Sequence, residues 1–190
     1  MKRGIFHLLP LITVFILPLI SQSEHEAPIR HIQEQYNEIK KQISSGQLYC
    51  NEFILNRDKL PVSAVGNYQE TVRFYHTRDP MSGTHELRMI ILKGERSITQ
   101  THAEFLYNPA NQLIFYFYRL HIGQGHTTRS RCYFKGNRLI RLIDNDLIID
   151  DPGEKYEAYR DAIIKRSREL RSLFLKSAGF SLSDIEDLKQ

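Results

Sequence analysis

The chain has no tryptophan, and its 190 residues include only two cysteines and three methionines. Neither cysteine lies in a protease signature, and there is no Cys-x-x-Cys pair that could begin a zinc site. The sequence also lacks a glycine-rich phosphate loop, a Gly-x-Ser-x-Gly nucleophile turn and a His-Glu-x-x-His motif. These absences leave nucleophilic catalysis and phosphate-loop chemistry without support from any motif, and we predict no cofactor.

Acidic residues are absent from the start of the chain, and the first one is Glu24. Two basic residues precede the uncharged run Gly4–Ile20, and small serines follow the run up to Ser23. A basic start, an apolar middle and small residues before a cut are typical of a secretory signal peptide. We therefore predict that residues 1–23 are a signal peptide and that residues 24–190 form a single globular α+β domain.

An uncleaved membrane anchor is the alternative for this segment, because its apolar run is at the short limit for a spanning helix. Pro10 and Pro18 favour cleavage, since proline disrupts a helix and Pro18 lies where the chain should become extended before the cut. The predicted localisation is therefore periplasmic or extracellular. Membrane anchoring is expected only if residues 1–23 are retained.

The remaining chain has little excess charge of either sign. Without the signal peptide, the formal charge falls from +4 to +2, because 24 basic and 22 acidic residues remain. A nucleic-acid partner needs a concentrated basic face, and a nearly balanced composition argues against one. The length is that of one domain.

The two cysteines, Cys50 and Cys132, fall in predicted strands. Export would place them in an oxidising compartment, which permits a disulfide that closes a long loop. The alternative is a pair of buried free thiols, because cysteine is often a small core residue. The sequence does not show whether the two strands meet, so both interpretations stay open.

Apolar residues recur every three or four positions from Ile29 to Ile43, which predicts a helix with one apolar stripe. Pro28 suits its first helical position, and Gly46 suits its end. Further along, short runs of β-forming residues separated by turn sequences predict antiparallel strands joined as a meander. The predicted strands are residues 48–56, 69–77, 85–93, 96–107, 113–120, 128–135 and 138–143.

A long second helix is predicted from a start at Asp151 to Ser177, with a short terminal helix over 180–188. The fold class is therefore α+β: an N-terminal helix, a six- to seven-stranded antiparallel meander sheet and a long C-terminal helix. By analogy with other helix-on-sheet folds we expect one-sided packing, although the run Leu113–Tyr118 is apolar on both faces and indicates a central strand covered on both sides.

The hairpin that turns at residues 136–137 is the strongest candidate for ligand binding. If residue 133 pairs with 140 and residue 131 with 142, its basic residues share one face with a tyrosine. Arginines beside an aromatic ring can hold a carboxylate, a phosphate or an acidic partner surface. The alternative is a solvated strand face whose side-chain stems cover apolar neighbours. The predicted ligand-binding residues are Arg129, Arg131, Tyr133 and Arg138.

Other polar clusters carry alternative chemistries. His102 and Glu104 fall on one face of a predicted strand and are the candidate acid–base pair if the protein is an enzyme. Histidines flank two turns, at 76 and 85 and at 121 and 126, but their spacing matches no ligand motif, so no metal site is predicted. The acidic residues between 144 and 154 are best explained by a turn followed by a helix cap.

The sequence therefore predicts an exported, non-enzymatic binding module for a protein or a small anionic ligand. One alternative is an exported hydrolase with a pocket between sheet and helices, and another is a structural envelope protein anchored by residues 1–23. A deep pocket with converging His, Glu and Arg side chains would favour the enzyme. A shallow exposed apolar and basic patch would favour binding.

Overall fold

A computed structural model describes residues 25–62 and 66–178 of the chain. The predicted signal peptide and the predicted terminal helix over 180–188 lie outside the described residues. A first helix precedes nine strands, and a 3-10 turn leads from the last strand into a second helix. These elements are α1 (Glu26–Ser44), β1 (Tyr49–Leu55), β2 (Pro61–Val62), β3 (Gly66–Arg78), β4 (His85–Arg96), β5 (Thr99–Tyr107), β6 (Leu113–Ile122), β7 (His126–Lys135), β8 (Arg138–Asp144), β9 (Leu147–Asp150), the 3-10 turn (Glu154–Tyr156) and α2 (Glu157–Ser177).

Eight strands form one antiparallel sheet in the order β1-β3-β4-β5-β6-β7-β8-β9, and the two-residue β2 pairs with β3. Apart from β2, strands that follow each other in the chain are neighbours in the sheet, because short connections force antiparallel pairing. The α+β class and the meander are confirmed. The strand count is slightly higher than predicted because β9, only four residues long, is too short to show an alternating pattern.

The two helices pack on opposite faces of the sheet. Helix α1 buries its isoleucines against one apolar cluster, which includes Leu106, and α2 buries Phe174 in a second cluster, which includes Phe105. Adjacent residues of a strand point to opposite faces, so the clusters lie on either side of the sheet. The expected one-sided packing is therefore wrong. The expectation that residues 113–118 form a central strand covered on both sides is confirmed.

The β7–β8 hairpin has the predicted two-residue turn, but its register differs from the prediction. Tyr133 pairs with Arg141, and Arg131 pairs with Ile143, each one residue further along β8 than expected. The cause is a β-bulge, which adds one residue to β8 and reverses the face of every residue beyond it. Arg141 consequently joins the face of Arg131 and Tyr133, on the side of α1.

Candidate functional site

Four basic residues from four adjacent strands lie side by side on the sheet face that carries α1. Lys93 of β4 pairs with His102 of β5, His102 pairs with Arg119 of β6, and Arg119 pairs with Arg129 of β7. Cross-strand partners point to the same face, with their Cβ atoms about 5 Å apart. We call these residues the basic row: Lys93, His102, Arg119 and Arg129.

Three members of the basic row are open to solvent and have no carboxylate partner in the described part of the chain. Lys93, Arg119 and Arg129 are exposed, and none of the three forms an ion pair with a carboxylate within residues 25–62 and 66–178. Like charges placed directly opposite each other on a sheet are destabilising. The row is therefore a place where a bound anion would relieve repulsion within the protein itself.

A cavity of about 440 Å³ opens above Lys93, His102 and Arg119 of the basic row, and Arg129 is not among its lining residues. It has no wall from α1, so this half of the sheet face is uncovered by the helix. The one carboxylate among its lining residues belongs to Glu95, which is already paired with Lys59 at 2.6 Å. The lining residues are Lys93, Gly94, Glu95, Gln100, Thr101, His102, Arg119, His121 and Thr127.

Glu104 is a buried carboxylate that ties the basic row to α1. It is only 3% exposed. Its Oε2 accepts a hydrogen bond from Tyr36 Oη at 2.6 Å, and its Oε1 accepts from Lys40 Nζ at 2.8 Å and from His102 Nε2 at 2.8 Å. Tyr36 and Lys40 belong to α1, so this one carboxylate orients His102 and holds the helix against β5.

The three hydrogen bonds keep Glu104 ionised. Burial by itself would raise its pKa, but the bonds from His102, Lys40 and Tyr36 outweigh burial and lower the pKa to about 2. Burial and the bond to Glu104 together raise the pKa of the Tyr36 hydroxyl, which stays a neutral donor. With both oxygens occupied, Glu104 is suited to orienting its neighbours and poorly suited to exchanging a proton with a substrate.

The predicted ligand-binding residues of β7 lie next to the basic row. Arg131 follows Arg129 on the same strand face and lies over the ring of Phe117, 5.8 Å from its centroid. Tyr133 is buried and accepts a hydrogen bond from Gln33 Nε2 at 3.3 Å. A second cavity, of about 370 Å³, lies between α1 and β6–β7; its lining residues are Ile32, Gln33, Tyr36, Asn37, Phe115, Phe117, Arg131 and Tyr133.

Arg138, the fourth predicted ligand-binding residue, lies apart from the other three. It follows the turn at the opposite end of the β7–β8 hairpin from Arg129. Its guanidinium donates to Asp151 Oδ1 at 2.6 Å. The structure therefore brings Arg129, Arg131 and Tyr133 together on one face and leaves Arg138 in a separate ion pair.

Lys93 and Arg119 are the site residues that the sequence interpretation missed. It ended one strand at residue 93 and began the next at 96, whereas β4 continues to Arg96 and turns at residues 97–98. Only the later turn pairs Lys93 with His102. Ser97 has a positive φ of 50°, but serine is a weak sign of a left-handed turn residue, and nearby Gly94 gave a stronger, misleading signal.

Cys50 and Cys132 are free thiols, and the structure does not bring them together. Cys50 lies on β1 and Cys132 on β7, with β3, β4, β5 and β6 between them. Neighbouring strands are about 4.8 Å apart, which puts the two residues roughly 24 Å apart across the sheet. A disulfide needs Cα atoms within about 7 Å, so the bridge that the sequence left open does not form within this chain.

The histidines at the two turns behave differently from each other. His76 and His85 face each other, with their Nδ1 atoms 3.1 Å apart, and His76 is buried. His121 instead contacts Thr127 Oγ1 at 2.8 Å, and His126 is exposed. In the described ranges, no group of three or more His, Cys, Asp or Glu residues is placed to hold a metal ion.

Asp150 and Asp151, which precede α2, form ion pairs instead of the predicted helix cap. Asp150 accepts a hydrogen bond from Arg141 Nε at 2.5 Å, and Asp151 pairs with His25 and Arg138. The 3-10 turn begins after Gly153 with no side-chain capping bond. The physical reason is that these two carboxylates, at the end of β9, lie beside Arg138 and Arg141 of β8 and pair with them before the helical turn begins.

Searches of protein-family models, curated proteins and solved structures gave no match to this chain. Among the described helices, none is long and apolar enough to cross a membrane.

Proposed function

We propose that the chain is an exported, non-enzymatic binding module that holds an anionic ligand on the uncovered half of its sheet, beside α1. The basic row is the observation that carries this proposal. Lys93, Arg119 and Arg129 are exposed on neighbouring strands without carboxylate partners in the described part of the chain. Arg119 and Arg129 are directly opposed like charges, and a bound anion would relieve the repulsion between them.

The basic row is suited to a ligand with more than one negatively charged group. It crosses four strands, a span of roughly 14 Å at the usual strand spacing. The arginine guanidiniums present forked donors that suit carboxylate and phosphate oxygens. Arg131 and Tyr133 extend the surface toward the second cavity. A small molecule with several carboxylate or phosphate groups fits this arrangement.

Titration calorimetry of the protein with citrate and with pyrophosphate tests the proposal. The double variant Arg119→Ala/Arg129→Ala should weaken binding at least about tenfold, because charge-assisted hydrogen bonds contribute roughly 1.5–3 kcal/mol. Binding should also weaken as salt is raised. Arg138→Ala is the matched control, since that arginine is already paired with Asp151, and it should change affinity less than about twofold.

Three results would contradict anion binding at the basic row. The first is the absence of saturable binding of either probe to the folded protein. The second is a double variant that binds as tightly as the unchanged protein, and the third is an Arg138→Ala variant that loses as much affinity as the double variant.

A hydrolase is the second candidate function, because His102 is oriented by a buried carboxylate and lines the 440 Å³ cavity. That arrangement resembles an oriented general base. Assays with p-nitrophenyl acetate and p-nitrophenyl phosphate separate the two functions. Turnover that disappears in His102→Gln would support the enzyme, whereas no turnover above buffer alone supports the binding module.

Export is proposed from residues 1–23, and N-terminal sequencing tests it. A mature chain that begins at Glu24 in the exported fraction is the expected result. A chain that begins at Met1 in the membrane fraction would instead support the anchored envelope protein.

A further inference from the structure

The sheet face that carries α2 has a polar row of its own, one register position along the strands from the basic row. Tyr118 of β6 pairs with Ser130 of β7, and Ser130 pairs with Asp144 of β8. The Ser130 hydroxyl lies 2.9 Å from the Tyr159 hydroxyl of α2, which places this row beneath the second helix. Alternation along the strands keeps its side chains on the face opposite the basic row.

Two further tyrosines complete a cavity above this row. Tyr156, at the end of the 3-10 turn, and Tyr159, in the first turn of α2, line it together with Tyr118. Its volume is about 320 Å³, the size of a small-molecule site. The rings of Tyr116 and Tyr118 lie nearly parallel on the same strand face, with centroids 6.4 Å apart. The lining residues are Tyr118, Thr128, Arg129, Ser130, Leu142, Asp144, Tyr156 and Tyr159.

Asp144 makes the cavity attractive to cations. It is exposed, and it forms no ion pair with Lys, Arg or His among the residues that the structure describes. Its one hydrogen bond with a side chain in those ranges comes from Asn145 Nδ2, at 3.3 Å. Arg129 belongs to the lining, but it is the strand neighbour of Ser130, so its side chain points to the opposite face, beside Arg119.

We infer that this cavity is a second ligand site, specific for a small organic cation such as an alkylated ammonium ion. Three tyrosine rings around one carboxylate offer both of the interactions that such a cation uses, ring faces and a negative charge. The Tyr156 ring already makes a contact of this kind within the chain, with Lys155 Nζ 5.4 Å from its centroid. Lys155 is not among the cavity lining, so the interior is left for a ligand.

Choline and its neutral isostere 3,3-dimethylbutan-1-ol test the charge requirement on the unchanged protein. Choline should bind saturably in a titration followed by NMR, and the isostere at least about tenfold more weakly, because it lacks the charge that the rings and Asp144 recognise. Equal binding of the two probes, or no saturable binding of choline, would overturn the inference without requiring any variant.

Variants then locate the site. Asp144→Asn should weaken choline binding about tenfold, and Tyr159→Leu should weaken it by a similar factor, while Tyr159→Phe, which keeps the ring, should stay within about twofold of the unchanged protein. Thermal melting checks that each variant is folded. Glu38→Gln, which removes an exposed carboxylate of α1 on the other sheet face, should leave choline binding unchanged; a loss in that variant, or none in Asp144→Asn, would overturn the assignment.

Vesicles of phosphatidylcholine separate a free cation from a lipid headgroup. The cavity is small and partly roofed by α2, so free choline should bind while the protein stays in the supernatant after the vesicles are sedimented. Sedimentation with vesicles and no binding of free choline would overturn the small-molecule assignment.

Discussion

At the scale of single residues, Glu104 has the largest structural role in the candidate site. A buried carboxylate is costly unless it is hydrogen-bonded and paired with a cation. Glu104 meets that requirement with one donor from its own strand, His102, and two from α1, Tyr36 and Lys40. The same bonds that stabilise its charge fix the imidazole at the centre of the basic row.

The pH dependence of stability follows from this carboxylate. Its pKa of about 2 in the folded protein lies below its ordinary value of 4.5. The unfolded chain therefore binds the proton more readily, and the stabilisation is complete above about pH 5 and is lost as the pH falls toward 2. Its size at neutral pH is on the order of 3 kcal/mol. We expect Glu104→Gln to be destabilised by a comparable amount at pH 7.

Urea unfolding followed by circular dichroism at pH 7, 4 and 2 measures this contribution. The difference in the free energy of unfolding between the unchanged protein and Glu104→Gln should decrease as the pH falls, because both then carry an uncharged side chain at this position. Glu38→Gln is the control, since Glu38 is exposed on α1 and should show little effect at any pH. A difference in the free energy of unfolding that is constant from pH 7 to 2 would contradict stabilisation by the ionised Glu104 side chain.

At the scale of elements, α1 and the β8 bulge act together. The bulge turns Arg141 to the α1 face, where its guanidinium donates to Asp150 of β9 and, at 2.6 Å, to Glu26 of α1. This arginine thus links the edge of the sheet to the start of the helix, while Glu104 holds the helix near its middle. Helix α1 is attached to the sheet at two polar points with an apolar stripe between and beyond them.

The apolar stripe of α1 should supply much of the docking energy. Ile39 is 2% exposed, and Ile39→Ala should cost about 2–4 kcal/mol because it removes buried methyl groups and leaves a cavity. Lys41→Ala, at an exposed position of the same helix, should change the free energy of unfolding by less than about 0.5 kcal/mol. Urea unfolding of both variants checks this. Equal losses in the free energy of unfolding would contradict packing of the apolar stripe against the sheet.

At the scale of the whole molecule, the sheet separates two chemically different surfaces. The α1 side presents exposed cations, and the α2 side presents tyrosine rings with the carboxylate of Asp144. Because neighbouring residues of one strand serve opposite faces, Arg129 and Ser130 contribute to the two surfaces from adjacent positions. The two proposed ligands, an anion and an organic cation, would therefore bind on opposite faces of the sheet.

The order of strands in the sheet also separates the two thiols, and thiol labelling tests this separation. Cys50 is exposed, whereas Cys132 is fully buried and its pKa is raised to about 12 by that burial. An aromatic disulfide reagent should therefore label one thiol per native chain and two after denaturation without reductant. Failure to label either thiol in the denatured, unreduced chain would reveal a bridge and contradict this topology.

Local features could be predicted from the sequence. The α1 stripe, the turn at residues 136–137 and most strands were predicted because each depends on the periodicity or turn chemistry of a few neighbouring residues. His102 and Glu104 were paired correctly for the same reason, since residues two apart on a strand share a face. Whether either ligand binds, and whether the chain is exported, stays a prediction.

The sequence by itself determined the α+β class, the antiparallel meander and which residues could share a strand face. Only the tertiary structure decided that the helices take opposite faces, that Lys93 and Arg119 join His102 and Arg129, and that the cysteines stay apart. The physical reason is register: a turn displaced by a few residues, or one bulged residue, changes every cross-strand neighbour beyond it. The stability of a register depends on packing across the whole sheet, which no short stretch of sequence contains.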